Sequence, residues 1–266
     1  QAVKVGDKTP LAMSFYPKEG NPLWEQESTK AVKYTLETYS KYTIDYPYPV
    51  AISVHAASIG MEYPMICFNF GRPDEKGNFS DRTKYRMIGV IIHEVGQNFF
   101  PMIINSDERQ WTWMDEGLNT FVQYVAEQEF GKKYPSALSP QDKFFPSDRG
   151  PARMIVPYMS GNQDYIAPIM TKGLNTYQFG NNAYGKPATA LNILRETVMG
   201  EELFDYAFKE YAQRFIFFMN PGEGIKYGKQ YIFLTYFGII NSSNRDLSRY
   251  PKTHVFLLTI LIAFIL

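Results

Sequence analysis

One predicted helix in the first half of the chain constrains both its fold and its chemistry. Apolar residues recur there with the spacing of one helix face: Met87, Val90, Ile91 and Val95. Ser80 or Asp81 can cap the start, the pattern continues towards Phe99, and Pro101 stops it. We therefore predict a helix over residues 80–99, whose polar side chains occupy defined positions around the helix axis.

Three polar residues of this helix, His93, Glu94 and Gln97, have a spacing that suits metal chemistry. Residues four apart lie on one helix face about 6 Å from each other, so two such side chains can reach one metal ion. In zinc peptidases both positions are His, and the Glu after the first is the general base that acts on zinc-bound water. Gln97 takes the second position here, so the pattern alone favours a helix with one polar face over a metal site.

A second predicted helix, over residues 113–130, can supply a carboxylate to the same ion. Glu116 follows Gln97 after 18 residues and falls in the first turn of this helix. Two antiparallel helices would bring His93, position 97 and Glu116 together and leave an open coordination position for water.

The rest of the chain predicts an α+β fold that is mostly helical. Alternating β-branched residues predict strands over residues 50–56 and 63–70, which form a small sheet beside the two helices. Helical periodicity predicts further helices over residues 23–42, 187–199 and 201–215. Residues 134–178 are rich in Pro, Ser and Gly and show little periodicity.

Composition excludes several classes of protein. Lys plus Arg and Asp plus Glu both number 27 in the 266 residues, so the net charge is zero and a nucleic-acid partner is not expected. The single cysteine, Cys67, excludes an internal disulfide framework and a cysteine-rich metal site.

Four segments, taken in order, resemble the membrane alanyl aminopeptidase family of zinc metallopeptidases, in the gluzincin clan. The resemblance covers about residues 11–215. Residues 93–121, which include residues 105–111 between the two helices, are similar to the same segment of bacterial members. The segments are Gly60-Met61-Glu62-Tyr63-Pro64-Met65, His93-Glu94-Val95-Gly96-Gln97, residues 111–121 around Glu116, and Asn182-Ala183-Tyr184-Gly185-Lys186-Pro187. Tyr63 stands where the family has Asn, and Gln97 stands where it has a metal-binding His.

The resemblance implies one bound Zn²⁺ in a thermolysin-like catalytic domain with a small β-sheet. His93 and Glu116 would be zinc ligands, and Gln97 would occupy the third ligand position. Glu94 would be the general base, and Tyr184 would donate a hydrogen bond to the developing oxyanion.

The resemblance also implies how a peptide substrate is held. Glu62 would bind the free α-amino group of the substrate, which restricts cleavage to the N-terminal residue. Gly60 and Met61 would flank the substrate backbone. The implied function is a zinc-dependent aminopeptidase acting on peptides, with a periplasmic or extracellular location suggested by bacterial relatives.

The two ends of the chain depart from the family. We expect residues 1–215 to be the catalytic domain, without the β-sandwich domain that precedes it in relatives. Residues 216–266 show no resemblance and end in an apolar run at 255–266, which a frameshift would explain. That run is well short of the about 20 residues that a membrane-spanning helix needs, so membrane association is not expected.

Gln97 leaves two functions open. An amide oxygen is a weak zinc ligand compared with an imidazole nitrogen, so the site could be impaired. The alternative to an active aminopeptidase is therefore a catalytically inactive relative that binds peptides. Glu94, Glu116 and Tyr184 favour the active form, because an inactive site has no chemical need for a base and an oxyanion donor.

Overall fold

The structure, a computed structural model, describes residues 1–162, 164 and 166–216. The predicted apolar run and the frameshift hypothesis concern residues beyond 216 and lie outside the described part of the chain. The described residues form a mostly helical protein with one small four-stranded sheet, which confirms the predicted α+β class. None of the described helices is long and apolar enough to cross a membrane.

The regular secondary structure of the described residues comprises six α-helices and four strands. The strands are β1 (Leu11–Phe15), β2 (Val50–His55), β3 (Met61–Tyr63) and β4 (Ile66–Asn69). The helices are α1 (Leu23–Tyr42), α2 (Asp81–Gly96), α3 (Glu116–Lys133), α4 (Ala152–Met159), α5 (Lys186–Ile193) and α6 (Glu201–Arg214). Wider helical turns span Asn98–Ile103, Gly180–Gly185 and Leu194–Met199.

The chain divides into two compact units. Unit 1 comprises Gln1–Met102 and Val122–Asp148, and unit 2 comprises Ile103–Phe121 and the described residues from Arg149 onward. Helix α3 contributes its first six residues to unit 2 and the remainder to unit 1. The predicted domain limit at residue 215 stays a prediction.

Unit 1 contains the sheet, whose strand order is β1-β2-β4-β3. Strands β1, β2 and β4 are parallel, and β3 pairs antiparallel with β4 at one edge. Helix α1 packs on α2 and on the sheet through one buried face, which confirms its predicted periodicity. The apolar residues of that face are fully buried: Leu23, Trp24, Ala31, Val32, Leu36 and Tyr39.

The single strand predicted over residues 63–70 is wrong, because a tight turn divides it into β3 and β4. Pro64 suits the second position of a turn, and Met65 adopts a left-handed φ of 68°. The side chain of Asn98 holds the turn, since its Oδ1 accepts a hydrogen bond from the Met65 amide at 2.7 Å. The reversal places Glu62 on the edge strand, opposite Cys67 in register.

Helix α2 begins as predicted, and helical backbone continues beyond its last regular residue to the predicted end at Phe99. Ser80 caps it by accepting a hydrogen bond from the Thr83 amide at 3.1 Å. The regular α-helix ends at Gly96, Gln97 keeps helical angles (φ −60°, ψ −22°), and a wider helical turn follows until Phe100, which is extended (φ −121°, ψ 114°). The ring of Pro101 disfavours helical backbone at the preceding residue, which accounts for this end.

Helix α3 continues past Gly131, where the sequence pattern predicts its end. The backbone leaves the helix after Lys133, and Tyr134 takes non-helical angles (φ −122°, ψ 66°). Pro135 follows directly, and it restricts Tyr134 in the same way that Pro101 restricts Phe100. A proline therefore determines the end of each helix that carries predicted site residues.

Unit 2 is held by aromatic packing between the start of α3 and helix α6. The ring of Phe121 lies edge-on to Phe204 at 5.3 Å and to Phe208 at 5.4 Å. Edge-to-face pairs of this kind add about 0.5–1.5 kcal/mol each beyond the area that they bury. Gly200 separates α6 from the preceding wide turn, as predicted.

Candidate active site

The eight predicted site residues are divided between the two units. Unit 1 holds six of them: Gly60, Met61, Glu62, His93, Glu94 and Gln97. Unit 2 holds Glu116 and Tyr184.

In unit 1, helix α2 presents its polar triad towards the protein interior. His93, Glu94 and Gln97 are all buried, with 8%, 6% and 1% of their surface exposed. The backbone N–H of Gln97 still donates to the backbone carbonyl of His93 at 3.0 Å, so the two side chains stay one helical turn apart. The predicted common face of His93 and Gln97 is therefore present.

The imidazole of His93 is oriented by a residue that the sequence analysis missed, Gln123 on α3. His93 Nδ1 lies 2.9 Å from Gln123 Oε1. An amide oxygen can only accept, so Nδ1 carries the proton and Nε2 carries the lone pair. A metal-binding histidine needs this tautomer when it coordinates through Nε2.

The amide of Gln123 is itself fixed by two acceptors. Its Nε2 donates to the carbonyl of Gly89 at 3.2 Å and to Glu127 Oε1 at 2.7 Å. Both amide hydrogens are thereby used, and the oxygen is left facing His93. The sequence signal for this contact is the spacing of three polar residues along α3, seven and then four residues apart, which places them on one side of the helix: Glu116, Gln123 and Glu127.

Gln97 faces His93 with the wrong end of its amide for metal binding. The two Nε2 atoms are 3.5 Å apart, so the amide NH₂ is directed towards the lone pair of His93. An amide nitrogen is a donor and cannot coordinate zinc, whereas the amide oxygen can. Gln97 would have to rotate its amide before it could act as a ligand.

Glu94 lies close to the backbone that leads into β3. A Cβ added at Gly60 would fall inside van der Waals contact with Glu94 Oε1 and within 2.9 Å of Val90 Cγ2. Only glycine lets this backbone approach the carboxylate so closely. The structure thus brings together Gly60 and Glu94, two residues that the sequence analysis assigned to one site.

In unit 2, Tyr184 donates a hydrogen bond to Glu116. Tyr184 Oη lies 2.6 Å from Glu116 Oε1. The guanidinium of Arg149 lies over the Tyr184 ring, 4.2 Å from its centroid, and Phe179 packs edge-on at 5.9 Å. Burial, followed by the negative charge of Glu116, raises the pKa of the Tyr184 hydroxyl well above its usual range. Tyr184 therefore remains a protonated donor throughout the neutral pH range.

A close contact between α3 and the start of α5 holds Glu116 near Tyr184 in unit 2. A Cβ added at Gly117 would lie 2.5 Å from Cγ of Pro187 and 3.0 Å from the carbonyl oxygen of Ala183. A proline ring and a backbone carbonyl cannot move aside easily. Gly117 therefore sets the separation of these two segments.

Replacing Gly117 with Ala is expected to destabilise the protein by about 1–3 kcal/mol, the usual cost of overpacking. For a chain of this size, the midpoint of thermal unfolding should fall by about 2–10 °C. Gly131→Ala in the same helix is the matched control, because its added Cβ meets its nearest neighbours at 3.4 Å. Circular dichroism melts of both variants check the expectation, and equal melting temperatures would contradict it.

The residues present satisfy only part of the donor set that a zinc ion needs. Among the described residues, no group of three or more His, Cys, Asp or Glu side chains is placed to hold a metal ion. His93 fits through its orientation, since its lone pair is on Nε2. Gln97 fits poorly, because a neutral amide replaces the second imidazole.

Comparisons with solved structures match this fold to M1 zinc metallopeptidases. A mutant form of the Deinococcus radiodurans protein matches with a TM-score of 0.59 and 15% identity, covering 98% of this chain and 50% of that one. A mutant form bound to a Tyr-Ser-Ala substrate matches with a TM-score of 0.55 and 14% identity, over 98% and 50% of the two chains. Native yeast LTA4 hydrolase matches with a TM-score of 0.53 and 13% identity, over 93% and 38%.

The likeness at these identities establishes a shared fold and no more. The chain spans about half the length of the Deinococcus radiodurans structures that it matches. No family model matches the chain, and no curated protein matches it in sequence.

Proposed function

We propose that this chain carries the catalytic residues of a zinc-dependent metallopeptidase with a thermolysin-like arrangement, which removes N-terminal residues from peptides. One observation supports this most strongly: Gln123 orients the His93 imidazole with its lone pair on Nε2, and Glu94 follows on the same helix. Metal-binding histidines almost always donate their other ring N–H to an acceptor of this kind. The shared fold with M1 zinc metallopeptidases is consistent with this proposal.

In this proposal three residues would hold the zinc ion: His93 through its unprotonated ring nitrogen, Gln97 through its amide oxygen, and Glu116 through its carboxylate. Zinc, when bound, supplies a Lewis acid that polarises the scissile carbonyl and makes a water molecule nucleophilic near neutral pH. Gln97 makes this binding weaker than a third strong ligand would.

Glu94 is the proposed general base. Its carboxylate takes a proton from the attacking water and later returns a proton to the leaving amine nitrogen. The Tyr184 hydroxyl donates to the oxygen of the scissile carbonyl as negative charge develops there. A donor aimed at charge that grows only in the transition state raises the rate rather than ground-state binding.

Substrate recognition is assigned to the segment around β3. The carboxylate of Glu62, on an edge strand, would bind the free α-amino group, and Gly60 and Met61 would flank the substrate backbone. An edge strand has backbone groups free to pair with an extended peptide. Two structural neighbours are bound to L-arginine and to a Tyr-Ser-Ala substrate, which supports amino acids and peptides as the ligand class.

Gln97 favours a second candidate, a peptide-binding relative without activity. Its amide NH₂ is directed towards the lone pair of His93, where it competes with a metal ion. A chain that binds no zinc could still hold a peptide through Glu62 and the edge strand.

Zinc content and aminopeptidase activity, measured together, test the proposal. The full chain is equilibrated with micromolar free zinc, and zinc per chain is determined by elemental analysis. Hydrolysis of an aminoacyl 4-nitroanilide is then followed with and without a chelator. We expect about one zinc per chain and chelator-sensitive hydrolysis, which Glu94→Gln abolishes without releasing zinc. No zinc and no hydrolysis would overturn the first candidate and leave the second.

Replacing Gly60 with Ala is expected to impair catalysis more than folding. The new methyl group displaces the Glu94 carboxylate, and its contact with Val90 Cγ2 at 2.9 Å adds a modest cost in stability. A displacement of about 1 Å at a reacting group costs about 100-fold in rate. We therefore expect kcat to fall about 10–100-fold while the melting temperature falls by only about 2–4 °C, with Gly131→Ala as the control. A variant with unaltered kcat would show that Glu94 is not the base, or does not lie against Gly60.

A further inference from the structure

We propose that Glu127 is a positioning residue for His93 and acts through the amide of Gln123. This proposal rests on the proposed function in one respect, the reason for orienting His93, which is to present its Nε2 to a metal ion. The hydrogen bonds that carry it lie within unit 1 and exist without metal.

A glutamine alone cannot choose the tautomer of a neighbouring histidine. Its amide can present either the oxygen or the nitrogen to the imidazole, and each end selects a different tautomer. The groups at the far end of the amide decide between the two. In this protein those groups are the Glu127 carboxylate and the Gly89 carbonyl, and both are acceptors.

The acceptors behind Gln123 therefore impose one orientation. A reversed amide would place its oxygen against the carboxylate of Glu127 and the carbonyl of Gly89, and two hydrogen bonds would be replaced by repulsion. A hydrogen bond to a charged acceptor is about twice as strong as one to a neutral carbonyl, so the carboxylate dominates this choice. The result is a directed chain in which His93 donates to Gln123 and Gln123 donates to Glu127.

Glu127 is in turn held in a single position. It is 4% exposed, and its second oxygen accepts a hydrogen bond from the hydroxyl of Ser147. Gln128 donates to Ser147 Oγ at 3.0 Å, which directs the hydroxyl hydrogen towards Glu127. A Cβ added at Gly89 would come within 2.9 Å of Glu127 Oε1, so the helix α2 backbone confines the carboxylate as well.

A purely structural carboxylate would not need this arrangement. A buried Glu is costly, and a neutral side chain of the same shape would fill the space at lower cost. A neutral amide at position 127 could donate as well as accept hydrogen bonds, whereas the carboxylate of Glu127 can only accept them. Because Glu127 only accepts, the NH₂ of Gln123 faces Glu127 and the oxygen of Gln123 faces His93.

The experiment measures the tautomer of His93 in the metal-free full chain. The sequence has three histidines, so ¹⁵N-histidine labelling yields few side-chain signals, and a His93→Asn variant assigns those of His93. Spectra are recorded at pH 8, with chelator, for the parent and for Glu127→Gln. Glu129→Gln is the matched control, because it removes the same charge from α3 but its partners are Lys41 and Tyr42.

The parent and Glu129→Gln are expected to hold the proton on Nδ1. In Glu127→Gln the ratio of the Nδ1-protonated to the Nε2-protonated form is expected to fall about tenfold or more, because one charged hydrogen bond no longer biases the amide. The double variant Gln123→Glu/Glu127→Gln should restore the parent ratio, since a carboxylate at position 123 can only accept from Nδ1.

The outcomes separate this proposal from the proposed function. A parent-like ratio in Glu127→Gln, with circular dichroism showing a folded chain, would overturn the positioning role. If the Glu127→Gln chain is too unstable for spectra, Glu127→Met, which also removes the acceptor and keeps Gln123, takes its place, and a parent-like ratio in that variant would overturn the role too. Absence of zinc binding in the parent would refute the proposed function and leave the tautomer result unchanged.

Discussion

Replacing Gln97 with His is expected to raise the zinc affinity of this chain by at least about 100-fold. Changes to residues that only orient a zinc ligand already cost about 10–100-fold in affinity, and Gln97 occupies the position of a ligand itself. The substitution replaces a weak, neutral oxygen donor with an imidazole on the same helix face. It also removes the amide NH₂ that is directed towards His93 Nε2.

Competition with a chromophoric chelator measures this affinity, and aminopeptidase assays measure its consequence. We expect Gln97→His to gain or strongly increase chelator-sensitive hydrolysis. Adding Glu94→Gln to that variant should keep the zinc affinity and remove the activity, because it removes the base and leaves the metal ligands in place. An unchanged affinity in Gln97→His would mean that His93 and position 97 do not meet one metal ion.

Replacing Glu127 with Gln is expected to remove a loss of stability that the parent suffers as pH rises. Burial, only partly offset by hydrogen bonds from Ser147 and Gln123, raises the pKa of Glu127 from 4.5 to about 7. The folded protein therefore binds this proton more tightly than the unfolded chain does. Stability from this group is fully present below the unfolded pKa and is lost as pH rises through the folded pKa.

The size of this effect follows from the difference between the two pKa values. One pKa unit corresponds to 1.36 kcal/mol, so Glu127 costs the folded state about 2–3 kcal/mol between pH 5 and pH 8. Urea unfolding of the parent and of Glu127→Gln at both pH values measures it. The free energy of unfolding should fall less steeply with pH in the variant.

Glu129→Gln again provides the control, with the opposite sign. Burial opposes ionisation of Glu129, but hydrogen bonds from Lys41 and Tyr42 outweigh it, so the pKa of Glu129 is lowered. Its ionised form therefore stabilises the fold at neutral pH, and the variant should lose stability there. Parallel pH profiles for the parent and Glu127→Gln would contradict the buried, high-pKa state of Glu127.

The elements that the sequence predicted well are those specified by local pattern. Helix α1 occupies the predicted residues 23–42, because an apolar face repeated over five turns fits a helix with one buried side. The Ser80 cap of α2 was also predictable, because a capping side chain bonds to its own backbone neighbours. The division of residues 63–70 was missed, because Met65 takes a left-handed φ that residues other than glycine rarely adopt.

The candidate site shows the same contrast. His93, Glu94 and Gln97 could be selected from the sequence, because their spacing on one helix is itself the signal. Gln123 and Glu127 could not, because each is an ordinary polar residue of a helix until its partners are known. Those partners, Gly89 and Ser147, are 34 and 20 residues away along the chain.

The sequence alone determined the mostly helical class, the helix that carries His93 and Glu94, and the substitution of a ligand position by Gln97. These depend on periodicity, capping and spacing, which are properties of neighbouring residues. The tertiary structure alone decided which nitrogen of His93 keeps its lone pair and which end of the Gln97 amide faces it. Hydrogen-bond direction decides both, and it depends on which donors and acceptors the folded chain brings within about 3 Å of each other.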